Sequence, residues 1–293
     1  MRVLHLSDVH VDVPLAQVGG QALWGKRFIG AANLVLRRGK HFRRVREKVQ
    51  ALDRFRQEQD VDLVLCTGDY TVLGTDPELA AAREVIEPLT RAPLGFVTVP
   101  GNHDVYVPSG LGRFEAHFGD LLKTDWPESQ VDGVWPLVRL IEDTVAVVCV
   151  NSARPNPQPW RSNGRIPDAQ IDALREVLRD PRLEGRFVFV LTHFAPRLAD
   201  GRPDRFLHGL VNADDLLRTC AAVPRGAILH GHVHRCFCVR VPGVGPTLFG
   251  AGSTTQEHRE GLWVFDIDGE TASARQGRWS DDRYVLDDEA IPI

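Results

Sequence analysis

Hydrophobic residues recur along the chain in short runs of strand length, and stretches with helical periodicity separate several of them. The runs that predict strands are residues 3–6, 61–66, 96–99, 145–150, 187–191, 227–229, 247–249 and 262–265. The periodic stretches predict helices over residues 41–57, 77–89 after a cap at Asp76, 167–178, and 213–222 after a cap at Asn212. This alternation, with β-rich stretches at 135–150 and 236–274, predicts an α/β fold of two packed sheets flanked by helices.

Composition narrows the class of protein. The 293-residue chain is 43% hydrophobic and 25% charged, as soluble globular proteins are, and its net charge of −4 creates no general attraction for nucleic acid. No apolar stretch approaches the length of a membrane span, and the N-terminus enters a strand without the features of a signal peptide. With only five cysteines, we expect reduced thiols and a cytoplasmic protein, and we interpret Cys236 and Cys238 as small strand residues rather than metal ligands.

Polar residues follow five of the predicted strands, at the points where those strands end. In chain order they are Asp8 and His10; Asp69; Asn102, His103 and Asp104; His193; and His232 and His234. Ligands of open α/β sheets bind beyond the carboxyl ends of the strands, so the five groups can converge on one place. Residues two apart in extended chain point the same way, which predicts that the two i, i+2 pairs each share a side. Any one of these motifs alone would be an ordinary turn.

The residue types point to a metal centre. Aspartate, histidine and asparagine without cysteine favour Mn²⁺, with Fe, Zn or Mg as alternatives. The seven candidate ligands are Asp8, His10, Asp69, Asn102, His193, His232 and His234. Seven is too many for one tetrahedral ion and suits two divalent ions that share a carboxylate, about 3.5–4 Å apart, as in enzymes of in-line phosphoryl displacement.

The order D-x-H, G-D, G-N-H-D, a single histidine and G-H-x-H across residues 8–234 resembles the calcineurin-like metallophosphoesterase superfamily. The resemblance implies a four-layer αββα sandwich of two mixed sheets, and hydrolysis by a hydroxide that bridges the metals. It implies that one metal is held by Asp8, His10 and His234, the other by Asn102, His193 and His232, with Asp69 bridging. By the same resemblance His103 would protonate the leaving group, Asp104 would orient that ring, and Asn102 would also contact substrate.

Departures from the superfamily pattern narrow the reaction. Val72 and Leu73 stand where protein Ser/Thr phosphatases carry an orienting aspartate and a phosphate-binding arginine, so that class is disfavoured. Phe194 stands where many relatives have a second histidine. We therefore predict cleavage of a phosphodiester or pyrophosphate bond, with a lipid-linked substrate such as UDP-diacylglucosamine as one candidate. The alternatives are a cyclic-nucleotide or nucleic-acid phosphodiesterase and a non-catalytic scaffold, the last disfavoured because all seven ligands and His103 are present.

One stretch, residues 24–48, is strongly basic: it carries nine Lys and Arg residues and one acid. Phe28, Ala32 and Leu36 would lie on one face of a helix there. Such a basic amphipathic segment is typical of a peripheral contact with the inner face of a membrane or with a lipid substrate, although an ordinary structural cap explains it as well. Aromatic residues are too sparse to favour nucleic acid. We expect one domain over residues 1–293, with an insertion at about 21–48.

Two loop residues, His208 and Arg154, are candidate substrate contacts, with solvated surface as the alternative for each. His5 is predicted to lie in the core, His230 behind the ligands, and Trp160 against the proline-rich loop around it. The oligomeric state stays open.

Overall fold

The computed structural model describes residues 1–11, 13–18, 44–158 and 160–293. Most of the basic segment, residues 24–43, therefore lies outside the described residues. The strands are β1 Arg2–Leu6, β2 Leu63–Cys66, β3 Phe96–Thr98, β4 Leu137–Ile141, β5 Val145–Cys149, β6 Phe187–Leu191, β7 Gly226–His230, β8 Phe237–Val239, β9 Thr247–Gly250, β10 Leu262–Asp268, β11 Thr271–Ser280, β12 Arg283–Leu286 and β13 Ile291–Pro292. The helices are α1 Leu15–Val18, α2 Val45–Glu58, α3 Asp76–Ile86, α4 Gly110–Phe118, α5 Asp168–Val177 and α6 Ala213–Cys220, with 3₁₀ turns at Glu87–Arg91, Gly119–Leu121, Pro127–Ser129 and Pro181–Leu183.

The strands form two mixed sheets. The first has the order β12-β11-β10-β1-β2-β3, with β13 paired to β11, and the second has the order β4-β5-β6-β7-β9-β8. In the first sheet β1, β2 and β3 run parallel, and β10 runs antiparallel to β1. In the second, β5, β6, β7 and β9 run parallel between antiparallel edge strands. The parallel strands in each sheet direct their carboxyl ends to one edge.

Alternation along β5 shows how the layers pack. Val145, Val147 and Cys149 belong to the large core that also contains β1, β2, α2 and α3. Ala146 and Val148 belong to a second core with α5 and α6. Opposite faces of the second sheet therefore contact the first sheet and a helical layer. This confirms the predicted sandwich of two sheets flanked by helices.

Four helices lie close to their predicted bounds, the short helix α1 was not predicted, and two further details differ. The N-cap of α3 is Thr75 rather than Asp76, because the Thr75 hydroxyl accepts from the Glu78 N–H and Glu78 reaches back to the Thr75 N–H, which forms a capping box. Helix α4 was not predicted, although Phe114 and Phe118, four apart and both fully buried, carry its pattern. Within the described ranges, no helix is long and apolar enough to cross a bilayer.

Candidate metal centre

Five of the seven candidate ligands have left-handed backbone, just beyond the strand ends. The φ angles of Asp8, His10 and Asp69 are 56°, 47° and 57°, and His232 and His234 have φ angles of 69° and 48°. The side chains of each i, i+2 pair were predicted to converge because the chain is extended there. The backbone is not extended, so that reason is wrong. The turns bring them together, and backbone bonds fix the turns: the Asp8 N–H donates to the Gly68 carbonyl (2.9 Å) and the His10 N–H to the Asp69 carbonyl (3.0 Å).

Four residues converge at one side of the centre: Asp8, His10, Asp69 and His234, with ligand atoms that all lie within 4.8 Å of one another. Nε2 of His234 lies 3.0 Å from Oδ1 of Asp8 and 3.0 Å from Nε2 of His10. Nε2 of His10 lies 3.9 Å from Oδ2 of Asp69. This is the set predicted to hold one ion.

Asp69 also faces the second predicted set. Nε2 of His193 lies 3.4 Å from Oδ2 of Asp69 and 3.1 Å from Oδ1 of Asn102. Nδ1 of His232 lies 2.7 Å from the same amide oxygen of Asn102. The Asp69 carboxylate thus lies between the two groups, where a bridging ligand must be.

Each of the four candidate ligand histidines has one ring nitrogen held by an oxygen and the other directed into the site. The outer bonds are His10 Nδ1 to the Thr71 carbonyl (3.0 Å), His193 Nδ1 to the Thr67 carbonyl (2.7 Å), His232 Nε2 to the His208 carbonyl (3.1 Å), and His234 Nδ1 to Oε1 of Gln256. A carbonyl oxygen can only accept, so the outer nitrogen carries the hydrogen and the inner nitrogen keeps its lone pair for a metal.

A cation fits this donor set. Oδ1 of Asp8 is buried without a hydrogen-bond partner, which is costly for a carboxylate unless a cation is near. Burial raises the pKa of Asp8, but the neighbouring imidazole rings of His234 and His10 outweigh it and hold that pKa well below its usual value. Burial likewise lowers the pKa of His193, but the Asp69 carboxylate raises it to about 9. The negative charge that attracts a proton to His193 is what a divalent ion would use instead.

Two glycines permit the close approach of the loops. A Cβ atom on Gly101 would lie 2.0 Å from Oδ1 of Asp69, and one on Gly231 would lie 2.4 Å from Oδ2 of Asp8. No side chain fits at either position without displacing a candidate ligand. These glycines are therefore part of the site rather than simple turn residues.

His103 lies at the side of His10, with ring centroids 5.2 Å apart. Its Nδ1 lies 2.6 Å from the Val72 carbonyl, and its backbone N–H donates to Oδ1 of Asp69 (2.8 Å). The position suits a group that faces a substrate.

The role expected for Asp104 differs in the structure. Its carboxylate is fully buried and accepts the backbone N–H groups of Asp69, Tyr70, Thr71 and Gly101 at 2.9–3.0 Å. The Val72 carbonyl, rather than Asp104, is bonded to the His103 ring. Asp104 fixes the turns that present Asp69 and His103.

Sequence reasoning missed a loop that follows β9. The Ser253 hydroxyl donates to the Asp8 carbonyl and the Thr255 hydroxyl to the Val9 carbonyl, each at 2.6 Å, and Gln256 holds His234. The only signal in the sequence is a run of three hydroxyl residues, S-T-T, followed by a glutamine shortly after a predicted strand.

The remaining predicted residues lie around the centre. The His208 ring lies 4.2 Å from the His232 ring and bonds through Nδ1 to Oδ2 of Asp204 (2.6 Å). Arg154 does not contact the candidate ligands directly and bonds to Asn163.

The predictions for three bystander residues had mixed outcomes. His5 and His230 are fully buried, as expected. Trp160 does not pack into its loop as predicted, because 73% of it is exposed. Cys66, Cys149 and Cys220 are also buried.

Comparisons with known proteins agree with this geometry. The model of the calcineurin-like phosphoesterase family matches residues 1–236. The chain belongs to this family. Among solved structures, a dimetal phosphatase from Danio rerio is similar over 98% of both chains, with a TM-score of 0.65 and 14% identity. The yellow lupin (Lupinus luteus) purple acid phosphatase PPD1 has a TM-score of 0.63 and 13% identity, over 98% of this chain and 52% of the lupin chain.

A third similar structure is that of an anchor protein. GAP50, "the anchor in the inner membrane complex of Plasmodium", has a TM-score of 0.53 and 9% identity, over 100% of this chain and 88% of its own. At these identities the similarity establishes the fold alone. A search of curated protein sequences found no match.

Proposed function

We propose that the protein is a dimetal-dependent hydrolase, most readily served by Mn²⁺, that cleaves a phosphodiester or pyrophosphate bond. The observation that carries the proposal is the arrangement of four histidines around Asp69, each with its outer nitrogen bonded and its inner nitrogen directed inward. A purely structural cluster would not need every ring held in the ligating tautomer. The match to the family supports the same chemistry.

Metal activation, proton donation and phosphoryl binding are assigned to different groups around the centre. When bound, the metal pair supplies Lewis-acid activation of water and of the phosphoryl group. Nδ1 of His103 donates to the Val72 carbonyl, so Nε2 is the atom that delivers a proton to the leaving oxygen. Asn102 turns its amide oxygen to His193 and His232, which leaves its amide nitrogen to donate to a phosphoryl oxygen.

The lipid-linked candidate depends on residues 24–48, of which only 44–48 are described. Arg44 pairs with Glu47 and Asp282, Arg46 pairs with Glu84, and Lys48 is buried against Glu260. These three cations are engaged within the chain, which favours the cap interpretation for this end of the segment. Membrane contact through residues 24–43 and a UDP-linked lipid substrate remain proposals.

A substrate panel tests the function. Metal-loaded protein is assayed with bis-p-nitrophenyl phosphate, cyclic nucleotides and a UDP-linked lipid, with the Asp69→Asn variant as the inactive control. We expect Mn²⁺-dependent release of p-nitrophenolate. No turnover of any substrate by protein that contains two metals would overturn the proposal and favour the scaffold alternative.

The lipid question has its own variant. Phe28→Ser/Leu36→Ser should lose activity and liposome binding only with the lipid substrate if the segment contacts lipid. Equal losses on lipid and water-soluble substrates would show that the segment is a cap.

A further inference from the structure

Two loops lie side by side at the His232 end of the centre. The first, residues 151–158 and 160–165, follows β5, and the second, residues 204–211, follows β6. Backbone bonds join them: the Ser162 N–H donates to the Leu207 carbonyl (2.9 Å) and the Val211 N–H to the Gly164 carbonyl (2.9 Å). They form a continuous rim, which we call the loop pair.

The loop pair is attached directly to the candidate ligands. Ser152, two residues before Arg154 in the chain, accepts through its hydroxyl from the backbone N–H of His193 (3.2 Å). The His208 carbonyl accepts from the ring of His232. Whatever the loop pair binds therefore lies next to the metal centre.

Asn163 holds two guanidinium groups together in this rim. Its side chain is fully buried, and its Oδ1 accepts from Nη2 of Arg154 (2.7 Å) and from Nε of Arg161 (3.2 Å). Burial, together with the positive charges of Arg161 and Arg165, lowers the pKa of Arg154. Among the described residues, Arg154 has no carboxylate within ion-pair distance. A guanidinium group held by a neutral acceptor, with further positive charge nearby, is a suitable site for a phosphate group.

The loops that carry these arginines also carry exposed aromatic rings. Trp160 is 73% exposed and Phe206 is 68% exposed, and among the described residues they are the most exposed of the large apolar side chains, ahead of Leu207 and Val211 on the same loop pair. The Arg161 guanidinium lies 5.5 Å from the centre of the Phe206 ring. The buried Asn163 fixes this ring's backbone too, since its Nδ2 donates to the Phe206 carbonyl (2.8 Å). Rings presented beside guanidinium groups favour a planar, anionic partner over an acyl chain.

We propose that the loop pair is a substrate subsite that binds a nucleotide: Arg154 and Arg161 hold a phosphate beyond the scissile bond, and Phe206 and Trp160 stack on the base. The preferred substrate is then a nucleoside diphosphate joined to a second group. This inference rests on the proposed function and specifies its substrate class.

Kinetics with two substrates test the subsite. UDP-glucose offers a second phosphate and a base, whereas bis-p-nitrophenyl phosphate offers one phosphate. Arg154→Gln in metal-loaded protein should lower kcat/KM for UDP-glucose by about 10- to 100-fold, the loss expected when a charged hydrogen-bond donor is removed. It should change bis-p-nitrophenyl phosphate hydrolysis by less than about 3-fold. The matched control is Arg202→Gln, because Arg202 is an exposed arginine paired with Asp200; it should change neither.

A second variant separates the base from the phosphate. Phe206→Ala should reduce kcat/KM for UDP-glucose but not for dimethyl diphosphate, which has two phosphates and no base. Calorimetric titration of UMP adds a readout independent of turnover, and Arg154→Gln should weaken UMP binding about 10-fold. Arg154→Lys, which keeps the charge but loses the planar donor pair, replaces the glutamine variant if the latter fails to fold and should also weaken UMP binding.

The outcomes distinguish the subsite from the reaction. Arg154-dependent UMP binding without hydrolysis of any substrate would support the subsite and overturn the proposed function. Hydrolysis of bis-p-nitrophenyl phosphate with equal losses on both substrates in Arg154→Gln, or with no UMP binding, would overturn the subsite alone. A preference of the wild type for a lipid diphosphate without a base would also overturn it.

Discussion

Nζ of Lys48 lies 2.5 Å from Oε1 of Glu260, with the two side chains only 1% and 8% exposed. The same ammonium group donates to the Thr255 carbonyl (2.8 Å), next to the Gln256 that holds His234. The last residue of the basic segment thus joins helix α2 to the loop behind the metal centre.

Lys48→Met should strongly destabilise the fold. It leaves Glu260 buried without its partner, and breaking a buried pair costs about 3–5 kcal/mol. Urea denaturation of metal-loaded protein, followed by circular dichroism, gives the free energy of unfolding. The control Arg46→Gln removes a cation from an exposed pair with Glu84 and should cost less than about 1 kcal/mol. If both variants lose the same small amount, Lys48 does not stabilise the loop.

The metal content should be two ions per chain and should depend on Asp69. Its carboxylate faces both ligand sets, so Asp69→Asn weakens both sites at once. Elemental analysis after reconstitution and desalting should give clearly less metal in this variant than in wild type. Asp172→Asn, which alters an exposed carboxylate paired with Arg175, should retain the full content. One ion in the wild type would contradict the shared-carboxylate arrangement.

His103→Ala should keep the metal and the fold but lose most turnover. General acid catalysis contributes about 10²–10⁴-fold, and the loss should be largest for leaving groups that need a proton. Turnover of an alkyl phosphodiester and of bis-p-nitrophenyl phosphate, measured side by side, gives the comparison. Equal losses on both substrates would argue against a proton donated by His103.

Gln256→Ala should weaken metal binding without direct loss of a ligand. His234 would lose the acceptor that fixes its ring, and removal of such a partner typically costs about 10- to 100-fold in metal affinity. Competition with a fluorescent chelator measures the affinity. Gln57→Ala, in an exposed bond with Asp53, serves as the control. Unchanged affinity in Gln256→Ala would mean that His234 is oriented by other contacts.

Much of the fold could be predicted because its central strands are buried on both faces. Val145–Cys149 and Phe187–Leu191 are therefore continuous apolar runs. The ligand types could also be recognised from the local sequence, because a buried strand that is followed closely by Asp8 needs a nearby positive charge. These features are local in sequence.

The geometry of the site could not be predicted, because distant contacts create it. The left-handed turn at Asp8 depends on Gly68, which comes from another strand end. Asp104 follows His103 directly, yet the turn sends its carboxylate to backbone donors. The contact of Gln256 with His234, and that of Arg154 with Asn163, form only on folding and could not be predicted from the sequence.

The hydrogen bond from His232 to the main-chain oxygen of His208 would couple the metal centre to the proposed subsite. Because one imidazole serves both the centre and the loop that carries Phe206, an ion that immobilises the ring also immobilises the loop. Metal loading would then precede nucleotide recognition, and the protein freed of metal would bind UMP more weakly, although UMP need not touch the ions. Metal binding would then be required to form the nucleotide-binding loop, in addition to its part in the reaction itself.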